Sequence, residues 1–243
     1  EAIEPLCECI DHEKESVKEV RRAAIKALRR LALAYGRQDE IREHVERTFR
    51  EDPDHLVVQD TASVYSRLYG QSAGPLLLEA LEKRDEREPW KKGFAGIVRS
   101  LGNTRWPDAG PRLYPLLEKE LNAERTHLPR LISLIRPVGL ASGADAKDML
   151  INLVDRNDPA FSWIAADVIA ELGDPSFIPD VEHILNSKRA DKTLEPNLEA
   201  ALLFTLVRLG VWERLSEFVN MAHDAERPVA RRRALGMMPG LKV

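Results

Sequence analysis

The chain has 243 residues, of which 44% are hydrophobic and 31% charged, and its formal net charge at pH 7 is −4. This composition excludes a disordered chain, and no apolar run reaches the roughly 18 residues that a membrane span needs. The acidic balance argues against a general nucleic-acid binder, and the low aromatic content of 6% beside many Leu, Ala, Glu and Arg residues is typical of packed helices.

The first predicted element, residues 1–10, is the second helix of an incomplete helix pair. It carries the two cysteines of the chain, Cys7 and Cys9, which point to different sides of a helix because each residue turns the chain by about 100°. Two cysteines cannot make a disulfide framework. We therefore expect small, buried, reduced side chains rather than a metal or redox pair, and a cytoplasmic location.

A glycine that closes an apolar helical run recurs every 30 to 37 residues along the rest of the chain. Glycine adopts the left-handed conformation that ends a helix without a steric penalty, so each of these positions predicts a helix end. The positions are Gly36, Gly70, Gly102, Gly139, Gly173, Gly210 and Gly240.

The run before each glycine has the spacing of an amphipathic helix, which we call the first helix of a pair. Before Gly36 the apolar residues recur three and four positions apart, at Val17, Val20, Ala24, Ala27, Leu28 and Leu31. The other side carries the basic stripe, which the pattern predicts to be a solvated face rather than a binding site. Its members are Lys18, Arg22, Lys26 and Arg29.

A second amphipathic helix follows each glycine, and proline often marks its first turn, where a missing N–H costs nothing. We predict second helices over residues 38–51, 75–84, 115–122, 144–155, 179–187 and 211–223. Pairs of this length bury their apolar faces only against neighbouring pairs. The sequence thus predicts an all-α fold, a right-handed α-solenoid of six to seven helix pairs, as a single domain over residues 1–243.

Three stretches carry a family resemblance. The segment from Ala165 to Pro179, AADVIAELGDPSFIP, resembles the HEAT-like repeat of phycobilin lyases, in which an Ala-Ala pair leads into Leu-Gly-Asp and a proline starts the second helix. The segments 20–28 and 228–235 resemble the start of the first helix of that repeat. The resemblance implies a HEAT-like solenoid, and it is nearly silent about activity because scaffolds, regulators and a few enzymes share the fold.

Enzymatic relatives of this fold leave no clear signature in the sequence. Iron-binding deoxyhypusine hydroxylase repeats His-Glu dipeptides, and this chain has one, His12-Glu13. HEAT-like DNA glycosylases place aromatic residues on a basic concave surface. Here Trp90, Trp163 and Trp212 are expected to pack in or between repeats, and the second helices carry mixed charge. A bilin lyase stays a minor alternative.

No catalytic motif, metal site or cofactor site is predicted from the residues themselves. The chain has no Gly-Lys phosphate loop and no Gly-x-Ser-x-Gly elbow. Its histidines are scattered, whereas a metal site needs three or four convergent ligands.

Two stretches are longer than the repeat requires, residues 103–114 and 186–196, and we interpret both as loops. Long loops are where solenoids often carry function. In the first, Trp106 beside Arg105 has the character of an interface anchor, although the alternative that Trp106 folds back over the neighbouring repeat stays open. The predicted partner-binding residues are Arg105, Trp106, Tyr114, Glu79, Glu82, Glu118, His183 and Glu217.

The predicted function is a non-catalytic scaffold that binds another protein or an extended peptide on its solenoid surface. Charge is uneven: residues 151–200 have a net charge of −6, residues 201–243 have +3, and Arg231 to Arg233 form a basic cluster. Both ends of the sequence look cut rather than capped, and atypical end repeats that serve as caps are the alternative. The alternative function is therefore that of an accessory domain beside a catalytic domain in the same chain, as in some zinc aminopeptidases, and no membrane partner is expected.

Overall fold

The computed structural model describes residues 2–85, 93–123 and 128–241, and within these ranges it is helical with no strand. The predicted all-α class is thereby confirmed. The chain divides into two compact units, Glu1–Ala141 and Ser142–Val243. The single repeat domain over residues 1–243 stays a prediction.

The first unit contains eight helices within its described residues. They are α1 (Ile3–Cys9), α2 (Lys18–Tyr35), α3 (Gln38–Glu51), α4 (His55–Tyr69), α5 (Gly74–Asp85), α6 (Phe94–Thr104), α7 (Ala109–Leu121) and α8 (Leu128–Ser142), with a 3-10 turn at Gly70–Ala73.

The second unit continues the alternation of longer helices and short 3-10 turns. Its helices are α9 (Lys147–Asp155), α10 (Ser162–Leu172), α11 (Ile178–Ala190), α12 (Pro196–Arg208), α13 (Leu215–His223) and α14 (Pro228–Met237). The 3-10 turns are Gly143–Ala146, Pro175–Phe177, Trp212–Arg214 and Met238–Gly240.

Packing follows the same scheme inside each unit. In the first unit α2 packs on α4 and α4 on α6, while α3 and α5 pack against these helices. In the second unit α10 packs on α12 and α12 on α14, with α9 against α10 and α13 against α12 and α14. Among these helices, the even-numbered ones, which are the predicted first helices, thus lie beside one another, and odd-numbered second helices pack against them.

Four of the predicted helix-ending glycines have a positive φ: Gly36, Gly70, Gly173 and Gly210. Gly36 and Gly173 are left-handed C-caps of α2 and α10, as the sequence predicts. The predicted second helix over 38–51 coincides with α3.

The prediction is wrong at Gly102, Gly139 and Gly240. Gly102 lies buried inside α6, where a Cβ atom would come within 2.3 Å of the Pro137 Cα atom. It is a site of close helix approach, and Arg105 takes the left-handed position with φ 51° instead. Gly139 lies inside α8, which runs on to Ser142, and Gly240 belongs to the last 3-10 turn.

The core of the first unit contains a buried ion pair. Arg21 of α2 donates from Nε and Nη2 to both carboxylate oxygens of Asp52, at 2.7 and 3.1 Å, and both side chains are almost fully buried. Arg21 also donates to the backbone carbonyls of Glu15 and Ser16. Removing one partner would leave the other charge buried alone, which typically costs about 3–5 kcal/mol. The pair therefore fixes how α2 meets the end of α3.

Candidate functional site

Residues 103–114, predicted as a loop, are mostly helical. Helix α6 continues to Thr104, and α7 begins at Ala109, so only four residues connect them. The second helix predicted over 115–122 starts six residues later than α7 does. The reason is that Pro111, rather than Pro115, occupies the first turn of α7. A proline there is tolerated since the first four N–H groups of a helix have no intrahelical partner.

Trp106 lies in this short connection and folds back over the start of α5. A Cβ atom built on Gly74 would lie 2.4 Å from the indole Cδ2 atom, so the ring occupies the space that any larger residue would need. Gly74 is buried and Trp106 half-buried, whereas Arg105 is exposed. The Arg105 carbonyl accepts a hydrogen bond from the Gln71 side chain at 3.2 Å. This connection is thus part of the packing between the helix pairs.

The second helices α5 and α7 border a groove of about 330 Å³, which we call the α5–α7 groove. Its lining is mainly apolar, with one acidic and one basic side chain. The lining residues are Leu78, Leu81, Glu82, Pro111, Arg112, Pro115 and Leu116. Leu81 is buried, Leu78 and Leu116 are half-buried, and both prolines are exposed. An apolar depression is therefore open at the surface.

Polar groups at this groove are available to a ligand. Glu82 and Arg112 lie 3.6 Å apart and both are well exposed, so their ion pair is weak and easily exchanged. Pro115 lies inside α7 and has no N–H, so the carbonyl of Pro111 lacks its usual donor four residues on. The groove thus offers an apolar surface, a carboxylate and a backbone acceptor.

The other predicted residues of the first unit lie on the same two helices. Glu79 of α5 is exposed and lies 3.9 Å from Arg50. Tyr114 and Glu118 are four residues apart on α7, and both are exposed. These three side chains lie on the helices that border the groove but do not line it.

His183 and Glu217 belong to the second unit and are not equivalent. His183 is exposed on α11. Glu217 of α13 accepts hydrogen bonds from Arg189 at 2.7 Å and from Arg214 at 2.6 Å. Burial by itself would raise the pKa of Glu217, but these two guanidinium groups outweigh it and the pKa lies below its usual value. Glu217 thus links α13 to α11 inside the unit.

The second predicted insertion, residues 186–196, is also shorter than expected. Helix α11 runs to Ala190 and α12 begins at Pro196. The Asn157 side chain holds the turn between them: its Nδ2 donates to the Thr193 carbonyl at 2.6 Å, and its Oδ1 accepts from the Glu195 N–H at 2.9 Å. A side chain from the preceding helix pair thus anchors this turn.

The basic stripe of α2 faces a neighbouring helix rather than solvent alone. Arg22 and Lys26 lie 2.7 and 3.1 Å from the Asp60 carboxylate of α4. Lys18 lies 3.5 Å from Asp54, the N-cap of α4. All three side chains stay partly exposed, so this face is solvated, and carboxylates of α4 and its N-cap pair with it as well.

Two of the three tryptophans expected to pack within the repeats can be located. Trp163 of α10 is half-buried, and the Arg233 guanidinium carbon lies 4.2 Å from the centroid of its indole ring. Trp212 is 54% exposed, so the expectation of core packing is wrong there. Trp90 lies outside the described residues.

Two further findings concern metal binding and membrane spans. Among the described residues, no cluster of three His, Cys, Asp or Glu side chains has the arrangement needed to hold a metal ion. Within the same ranges, every helix is too short or too polar to cross a bilayer. Comparisons of the chain with family models, with curated proteins and with solved structures find no match.

Of the residues that line the α5–α7 groove, only Glu82 was predicted from the sequence as a partner-binding residue. Leu78 and Leu116 read as ordinary core positions of amphipathic helices, and Pro111 as a loop residue. The sequence signal that could have found them is Pro111 followed by Pro115, since a second proline one turn into a helix leaves a carbonyl without its donor.

Proposed function

We propose that this chain is a non-catalytic HEAT-like α-solenoid that binds another protein through the α5–α7 groove. The packing inside each unit supports the solenoid, since first helices lie beside one another and second helices cover them. Stacked helix pairs present extended surfaces that suit protein or peptide ligands. A cytoplasmic location belongs to the same proposal and is supported by two free thiols, Cys7 and Cys9.

The observation that carries the proposal is an open apolar groove between two second helices. Its volume of about 330 Å³ suits one or two large side chains. Burial of a single large apolar side chain contributes roughly 1.5–3 kcal/mol. The exposed Glu82 carboxylate, whose ion pair with Arg112 is weak, favours a partner segment with Lys or Arg beside its apolar anchor.

The test is a comparison of two leucine variants of the first unit. Leu116→Glu places a charge in the groove, whereas Leu33→Glu places the same charge at a leucine of α2 that is 52% exposed. Partners are captured from the native source with the wild-type chain, identified by mass spectrometry, and titrated as purified proteins. Thermal unfolding of all three chains checks that each is folded.

We expect Leu116→Glu to weaken binding of the partner by about tenfold or more, which corresponds to about 1.4 kcal/mol. Leu33→Glu should stay within about twofold of the wild type. A partner that binds the Leu116→Glu chain as tightly as the wild type would show that the α5–α7 groove is not its binding site.

A further inference from the structure

Helix α12 of the second unit is recessed between its neighbours. Its residues Leu198 to Leu203 are buried, and so are Thr205, Leu206 and Val207. Helices α10 and α14 both pack against it. The accessible surface of this helix is thus reduced to a narrow strip that includes Asn197 and Phe204.

A pocket of about 690 Å³ lies over this strip, and we call it the α12–α14 pocket. Its lining combines apolar side chains with two arginines. The lining residues are Asp167, Asn197, Phe204, Val229, Arg232, Arg233, Gly236, Met237 and Gly240. Its volume falls in the range of small-molecule and side-chain binding sites, which is roughly 300–1,000 Å³.

Arg233 closes one side of the pocket. It forms an ion pair with Asp167 of α10, and its guanidinium lies over the ring of Trp163. The side chain thereby spans the recessed α12 from α14 to α10. Because Asp167 already balances its charge, Arg233 is a wall of the pocket rather than its main ligand.

Arg232 has the opposite character. It is exposed and lines the pocket, and no ion pair to it is found within residues 2–85, 93–123 and 128–241. Val229 and Gly236 lie three residues before it and four after it, on the same side of α14. Val229 is 48% exposed, and nothing lies within 4 Å of the position of a Cβ atom at Gly236. An unpaired cation therefore stands beside open apolar surface.

We propose that the α12–α14 pocket binds a protein segment in which an acidic side chain adjoins a large apolar one. The carboxylate pairs with Arg232, whose planar guanidinium favours a bidentate contact. The apolar side chain packs against Phe204, Val229 and Met237. Charge complementarity selects this partner, because the charged residues that line the pocket are two arginines and one carboxylate, and that carboxylate, Asp167, is already paired with Arg233.

The test begins with a display library of random dodecapeptides, selected on the wild-type chain and counter-selected on the Arg232→Glu chain. Selected peptides are labelled and titrated by fluorescence polarisation against purified chains. The matched control is Arg231→Glu, which makes the same charge change at an exposed arginine that does not line the pocket. The Leu116→Glu chain separates this pocket from the α5–α7 groove.

We expect enriched peptides with an acidic residue next to an apolar one. Their affinity should fall about tenfold or more with Arg232→Glu and stay within about threefold with Arg231→Glu. A peptide with Gln in place of the acidic residue should bind as weakly as the original peptide binds the Arg232→Glu chain. Leu116→Glu should change none of these affinities.

Several results would overturn the proposal: no enriched peptide, enriched peptides without an acidic residue, or equal losses with Arg231→Glu and Arg232→Glu. Binding of a single-stranded oligonucleotide that depends on Arg232, in place of any peptide, would also overturn it. Val229→Glu is the second variant, since its carboxylate repels the peptide from inside the pocket. Unchanged peptide affinity with Val229→Glu would equally contradict the proposal.

Discussion

The two thiols of α1 lie in different surroundings although they are two residues apart. Cys7 is buried at 2% exposure, whereas Cys9 is half-buried. Burial, with a smaller contribution from the Glu4 carboxylate, raises the pKa of Cys7 from 9.0 to about 11. Only the thiolate is a strong nucleophile. Cys7 is therefore protected from thiol reagents because it is inaccessible and because its thiol stays protonated.

We therefore predict that a thiol reagent modifies one cysteine rapidly in the native chain and both after denaturation. Raising the pH to about 9 should leave Cys7 slow, because its pKa lies higher still. Absorbance with Ellman's reagent gives the count. A Cys9→Ser chain is the control and should show no rapid phase, whereas two rapid equivalents in the native wild type would contradict the structure.

Single side chains also show how much of the candidate site could be predicted from the sequence. Glu82 was predicted for its exposed helical position and does line the α5–α7 groove. Glu217 was predicted for the same reason, yet Arg189 and Arg214 hold it. Helical periodicity distinguishes exposed from buried faces, but it contains no information about which opposite charge from another helix reaches a side chain.

At the scale of elements, the connection between α6 and α7 is a packing contact. Trp106 covers Gly74, and this glycine has no room for a side chain beneath the indole ring. If this connection were a loop free to bind a partner, substitution of Arg105 and Trp106 would leave the stability of the chain unchanged. Because Trp106 packs on Gly74, the structure predicts that its substitution lowers the stability.

We predict that Trp106→Ala lowers the free energy of unfolding by about 2 kcal/mol, since full burial of a Trp or Phe is worth roughly 3–5 kcal/mol and Trp106 is half-buried. Trp212→Ala is the matched control. Its side chain is 54% exposed, so the loss should be below about 0.5 kcal/mol. Urea unfolding followed by circular dichroism measures both, and equal effects would argue against a packing role for Trp106.

A charge network joins four helical segments of the second unit. Arg189 of α11 contacts Glu199 of α12 and Glu217 of α13, and Arg227 at the start of α14 also pairs with Glu199. The pKa of Glu217 is lowered and that of Arg189 is raised. Both directions favour the charged forms in the folded state.

This network predicts a loss of stability in acid. A carboxyl whose pKa is lowered by folding stabilises the folded state fully above its ordinary value of 4.5, and that contribution disappears as the pH falls through the lower folded pKa. Melting temperatures measured between about pH 6 and pH 3 should fall less steeply for Glu217→Gln than for the wild type. Parallel curves for the two chains would show that Glu217 does not contribute.

At the scale of the whole molecule, each unit has its own apolar core. In the second unit fully buried residues come from all six helices, among them Leu150, Ile169, Leu185, Leu206, Phe218 and Ala230. A separate core is what allows a segment to fold independently. Residues Ser142–Val243, expressed alone, should therefore be helical and unfold cooperatively.

Circular dichroism during thermal unfolding tests this prediction. Leu206→Asp in the same fragment is the control, because a lone charge at a fully buried position should abolish the transition. A fragment that is disordered without that substitution would show that the second unit depends on the rest of the chain.

The sequence by itself determined the helical class, the alternation of first and second helices, and most of the turns. These depend on interactions within a few residues: a 3.6-residue apolar period, proline in a first turn, and glycine at a positive φ. Periodicity located α3 to the residue, and it failed at α7 because Pro111 and Pro115 give the same local signal.

The tertiary structure alone decided which surface residues are engaged and where pockets remain. Gly102 makes room for Pro137, Trp106 covers Gly74, and Arg233 spans α12 to reach Asp167. Each of these contacts joins residues more than thirty positions apart, so it depends on how helices pack rather than on spacing along the chain. For the same reason, the α5–α7 groove and the α12–α14 pocket appear only once the helices are assembled.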